Sequence, residues 1–99
     1  MNSYAIKIME ILKNYHLNKM KVENRIDGEI LARDFKFINK SIKALGQWDY
    51  LAIKLVYIEK LSKKDAAKQL YVTRMTLDRR INRIVNQFAE VYERLISEQ

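Results

Sequence analysis

Between Leu61 and Ile84 the chain has room for two helices and almost nothing else. Ser62 followed by Asp65 reads as a capping box, in which the hydroxyl takes an orphan helix amide and the acid reaches back. Ala66, Ala67 and Leu70 then supply the buried side of a short helix, and two successive alanines let another helix approach closely. Val72 is placed to plug the turn, and Thr73 to cap the next helix. From there Leu77, Ile81 and Ile84 recur at spacings of four and three, which puts them on one inward stripe. Arg74, Met75, Thr76, Arg79, Arg80 and Arg83 are left for the other faces. Two helices across a tight turn, the second rich in arginine, make the pattern of a helix-turn-helix.

The rest of the chain is expected to be helical too. With no proline and only two glycines, Gly28 and Gly46, in 99 residues, strand and turn signals are scarce, so the fold class is all-α. About five helices are expected. The first runs from Ser3 to near Val22 with Ile8, Ile11, Leu12 and Tyr15 inward. The second runs from Asp27 to Leu45 with Leu31, Phe35, Ile38, Ile42 and Leu45 inward, and Gly46 closes it as a C-cap. Asp49 caps the third, which runs through Glu59 and buries Leu51, Leu55 and Ile58. The last two are the helix-turn-helix pair. A 48% hydrophobic composition supplies one core, and no linker or repeat divides the chain. Residues 1–99 therefore read as a single domain. Within it, 1–46 form an N-terminal helical pair for packing or dimerisation, 49–84 the helix-turn-helix module, and 85–99 an extension of its second helix.

That second helix is longer than the motif needs. Leu77, Ile81, Ile84, Phe88, Val91 and Leu95 keep a four-three repeat for almost three heptads, with Val85 and Tyr92 widening the stripe. From Arg74 to Ile96 a helix spans ~35 Å. Its far half either packs on the first two helices or forms a homodimer contact, and an interlocked dimer would satisfy both.

Charge separates a solvated hairpin from a binding module. Residues 54–83 hold nine Lys and Arg against three acids, a net +6 in a chain whose total is +7. The excess thus sits on the same residues as the motif, which points to double-stranded DNA as the partner. Arg79 and Arg80 suit guanine edges, where a guanidinium reaches O6 and N7 together. Arg74, Thr76 and Arg83 suit phosphate or base positions beside them, with Thr73 at the same edge. Lys63, Lys64 and Lys68 suit backbone clamping by the preceding helix.

Other function classes find little support. There is no cysteine, which removes disulfides and thiolate zinc sites and fits a reducing cytoplasm. No apolar run approaches the ~20 residues of a membrane span, and Met1-Asn2-Ser3-Tyr4 lacks a signal-peptide pattern. His16, the sole histidine, reads as a surface or partly packed residue, so no metal and no cofactor are expected. Asp and Glu are scattered singly, as on solvated helices. Trp48 reads as a core or hinge residue, and Tyr4, Tyr15, Tyr50, Tyr57, Tyr71 and Tyr92 form no stacking platform. No phosphate-cradling glycine loop and no nucleophile elbow is present, and no enzyme is expected.

The stretch from Ile53 to Ile84 resembles the fourth region of bacterial sigma factors and the small regulators built on it. The matching residues are Leu55-Val56-Tyr57, Ala66-Ala67-Lys68-Gln69-Leu70, Tyr71-Val72-Thr73, then Thr76-Leu77 and Arg79-Arg80. Among single-module proteins the chain is similar to the ArpU/RinA-like regulators of phages and prophages. The resemblance implies a transcription regulator that places residues 74–84 in the DNA major groove. Two alternatives stand beside it: docking on RNA polymerase, as sigma region four does, or DNA recognition for a packaging terminase, which also uses a small helical DNA-binding module. Tyr71 and Lys60 stand where the family has glycine, and a tyrosine in a left-handed turn costs about 1 kcal/mol.

Overall fold

A computed structural model describes residues 3–26 and 28–98 and contains helices joined by short turns. The helices are α1 (Ser3–Lys13), α2 (Tyr15–Glu23), α3 (Gly28–Lys43), α4 (Gln47–Ile53), α5 (Lys63–Gln69) and α6 (Arg74–Ser97). A wider π-helical turn, Lys54–Ile58, continues α4. The all-α expectation holds, with six helices among the described residues rather than five. Asp27, expected to open the second helix, lies outside the described residues.

The extra helix comes from asparagine chemistry that apolar spacing does not register. The Asn14 side chain donates to the Glu10 carbonyl at 3.0 Å. The Asn18 side chain, buried, donates to the Ile11 carbonyl at 3.3 Å. Side chains that bond backbone in this way compete with the helical ladder, and the expected Ser3–Val22 helix breaks at Asn14 into α1 and α2. The N-terminal pair is therefore three helices.

Two caps differ from expectation. Gly46 does not close α3 in a left-handed turn; at φ −61 and ψ 160 it is extended and stands at the N-cap of α4. Asp49 consequently falls inside the first turn of α4 instead of capping it. The helix expected from Asp49 to Glu59 is α4 followed by the π turn, closed by the Glu59 amide on the Lys54 carbonyl at 2.8 Å.

Left-handed turns occur where the sequence has no glycine. Arg25, Lys60 and Tyr71 have φ of 56, 61 and 57. After α5 the Tyr71 amide donates to the Lys68 carbonyl and the Val72 amide to the Ala67 carbonyl. This paired Schellman closure fixes the sharp turn into α6. Tyr71 is 95% exposed, so its side chain gives little packing in return for the strain. Tyr71→Gly should therefore stabilise the chain by up to ~1 kcal/mol. Thermal denaturation should register this as a rise of about 4–8 °C for a domain of this size. Lys60→Gly should gain less, because the Lys60 ammonium also donates to the Lys13 carbonyl at the end of α1.

α6 is the central element, packed most extensively on α1 and also on α3, α4 and α5. Ile8, Leu12, Ile38, Ile53, Leu77, Ile84, Val85 and Tyr92 are the large side chains buried between these helices. The far half of α6 thus packs within the chain. Its inward line is not the heptad stripe, however. Val85, Ala89 and Tyr92 are buried, whereas Val91 is 50% exposed and Leu95 only half-buried. A straight helix drifts ~20° per heptad from a strict seven-residue repeat, so by the third heptad the stripe has rotated off the core.

Asp34 is the second feature hidden from composition. It is buried, not solvated. Its Oδ1 accepts from the Tyr92 hydroxyl at 3.0 Å and from the Arg33 guanidinium at 3.1 Å, and the Lys7 ammonium lies 3.7 Å from Oδ2. Tyr92 also meets the Tyr4 and Phe37 rings at 5.7 and 5.5 Å, so α1, α3 and α6 join at one point. Burial, reinforced by the bond to Asp34, raises the pKa of the Tyr92 hydroxyl above the ordinary tyrosine value. Among the described residues no helix is long and apolar enough to cross a membrane.

Candidate nucleic-acid interface

Two hydroxyl caps set the geometry of the basic segment. Ser62 Oγ accepts from the Asp65 amide at 3.1 Å and starts α5. Thr73 Oγ1 accepts from the Thr76 amide at 3.1 Å and starts α6. Between the helices Val72 and Leu70 pack on the core, and Ala66 and Ala67 are buried. The two alanines bring α5 close to α6, as their small size requires.

Leu77, Ile81 and Ile84 are buried on α6 at 0%, 2% and 0% exposure. With that stripe inward, the flank of α6 that runs through Thr76 and Arg83 is turned to solvent. There Thr76, Arg79, Arg80 and Arg83, at helical spacings of three, one and three, line a shallow concavity of about 270 Å³. Met75 stands exposed beside them. Arg74, Arg79 and Arg83 are exposed, and among the described residues no ion pair engages them. The same holds for Lys64 and Lys68 on α5.

Arg80 and Lys63 are held differently. The Arg80 Nε–H donates to Asp49 Oδ1 at 2.8 Å, and its guanidinium carbon sits 4.9 Å from the centre of the Trp48 ring. Arg80 is therefore fixed from α4 by a charge-assisted bond and a cation–π contact, while 41% of its side chain stays exposed. The Lys63 ammonium lies 2.6 Å from Asp78 Oδ1 and ties α5 to the first turns of α6. Asp78 in turn faces Tyr57: burial, then the Asp78 charge, raises the pKa of the Tyr57 hydroxyl. Lys63 thus serves the joint between the two helices, and Lys64 and Lys68 are the free cations of α5. Thr73 and Thr76 hydroxyls bond each other at 2.9 Å.

The expected residues therefore divide into three groups. Arg79, Arg80, Arg83 and Thr76 come together on one face. Lys64, Lys68 and Arg74 are exposed cations outside that cluster, and Lys63 and Thr73 are structural. Sequence reasoning missed Asp49 and the role of Trp48, since both act on Arg80 from 31 and 32 residues away. His16 lies elsewhere, its Nε2–H donating to the Ile58 carbonyl oxygen at 2.6 Å. No protein-family model, characterised protein or solved structure matches the chain.

Proposed function

We propose that the chain is a sequence-specific double-stranded DNA-binding regulator of transcription that inserts the first turns of α6 into the major groove. One observation carries the reading. A capped helix presents Thr76, Arg79, Arg80 and Arg83 together on the flank beside its buried stripe, with Arg79 and Arg83 free of internal ion pairs. A solvated hairpin would have no reason to gather three guanidinium groups with an acid, Asp49, on only one of them, because like charges at helical spacings of three and four repel. A polyanion removes that repulsion.

The supports are consistent with one another. The excess charge lies on the same segment as the motif. The resemblance of residues 53–84 to sigma region four points to the same groove-entering helix. Arg80, pre-set by Asp49 and Trp48, loses less rotamer freedom on contact than a loose side chain would. Arg79 and Arg80 are assigned to base edges, Arg83 and Arg74 to the phosphates alongside, and Lys64 and Lys68 to the backbone across the groove.

Selection of bound duplexes from a random library with the purified chain tests the specificity. The expected outcome is a short enriched site containing guanine, the base that a guanidinium reads. Recovery of unenriched sequence would reduce the chain to a non-specific polyanion binder.

A further inference from the structure

The part of α6 that drifts off the core leaves apolar surface beside α3. Val91, half exposed, and Leu95 join Phe37, Ala44, Leu45 and the edge of Phe88 in an open groove of about 520 Å³ between the two helices. The two walls differ in charge. α3 carries Arg33, Lys36, Lys40 and Lys43 against Glu29 and the buried Asp34. Beyond Ile84, α6 and its C-cap carry Arg94 against Glu90, Glu93 and Glu98. Among the described residues, no ion pair within the chain engages Lys40, Lys43, Glu90 or Glu98.

We propose that this groove seats a second copy of the chain. The two α6 helices cross antiparallel about a two-fold axis near Val91, and each lays its acidic end over the partner's basic α3. In such an isologous contact every complementary charge pair occurs twice, whereas an unrelated acidic helix would satisfy only α3 and leave the α6 acids unmatched. Asp34 and Phe37 meet Tyr92 while the turn after α3 brings Trp48 to Arg80, so α3 runs antiparallel to α6; Lys40 lines the groove itself, and Lys36 and Lys43 stand on the adjoining side of α3.

The arrangement also sets a DNA geometry, and that part rests on the reading given under Proposed function. Arg79 and Val91 are twelve residues apart, or about 18 Å along the helix. Doubling through the axis separates the two Arg79 faces by about 36 Å, against the roughly 34–36 Å between half-sites one duplex turn apart. The dimer would then read paired half-sites about 10–10.5 base pairs centre to centre.

Sedimentation velocity of the full chain without DNA, paired with far-ultraviolet dichroism, tests the contact. The wild type should show a reversible monomer–dimer equilibrium, and Val91→Asp should be monomeric with unchanged dichroism, since Val91 is not a core residue. A Lys40→Glu/Lys43→Glu variant and a Glu90→Lys/Glu98→Lys variant should each dissociate, and mixing the two should restore a heterodimer. A wild type that stays monomeric, a Val91→Asp variant that stays dimeric, or a mixture that fails to associate would overturn the proposal. None of these outcomes touches single-site DNA binding, which the salt and selection measurements judge separately.

Discussion

A Phe88→Asp variant is expected to lose its cooperative unfolding transition and to show unfolded far-ultraviolet dichroism. Phe88 is 6% exposed and belongs to the buried cluster shared by α1, α3, α4 and α6. Truncating a buried phenylalanine costs about 3–5 kcal/mol, and an unpaired carboxylate in its place adds a desolvation penalty. The sum is comparable to the roughly 5–15 kcal/mol that holds a domain of this size together. The contrast with Val91→Asp is the sharper check, because the two positions are three residues apart on α6 and differ chiefly in burial. A Phe88→Asp variant that folds normally would contradict the packing of the far half of α6.

The second large effect lies on the outer face. Arg79→Ala should cost about 1–3 kcal/mol on the preferred duplex, a loss of roughly 5- to 150-fold, with little change on random DNA and none in melting temperature. Arg79 is exposed and free of internal ion pairs, so its removal disturbs nothing in the fold. Arg80→Ala should differ by also lowering the melting temperature, since it leaves Asp49, only 19% exposed, without its donor and uncovers Trp48. Binding titrations beside thermal melts separate the two residues. Equal behaviour of both variants in both assays would show that the Asp49 tether does not distinguish them.

The parts of this fold that were legible in the sequence are those written in local chemistry. Ser62, Thr73, the paired alanines and the Leu77-Ile81-Ile84 stripe act within a turn or two, and each sits where the spacing predicts. Tyr71 and Lys60 were legible as left-handed residues only through the resemblance, which puts glycine at both positions. What escaped was set by distant partners or by hydrogen bonds that apolar spacing does not record. Asn14 and Asn18 break a helix through their amides. Asp34 is buried because Tyr92 arrives from 58 residues away. Gly46 begins a helix instead of ending one because α3 stops at Lys43, short of the glycine. The heptad repeat along α6 was a true count of apolar residues but a misleading geometry, since packing follows the 3.6-residue turn. Within the candidate site, sequence placed the cations on the right helices; the division between free and tethered ones depended on Asp49 and Asp78.

On the proposed reading, the outer face of α6 and the free lysines of α5 grip duplex phosphates. Fluorescence anisotropy of a labelled duplex, titrated with the purified chain between about 50 and 200 mM salt, measures this directly. Log affinity should fall linearly with log salt, at roughly −0.9 for each phosphate contacted, with a shallower slope for Lys64→Ala and Lys68→Ala. A slope near zero, or no binding at the lowest salt, would contradict that reading.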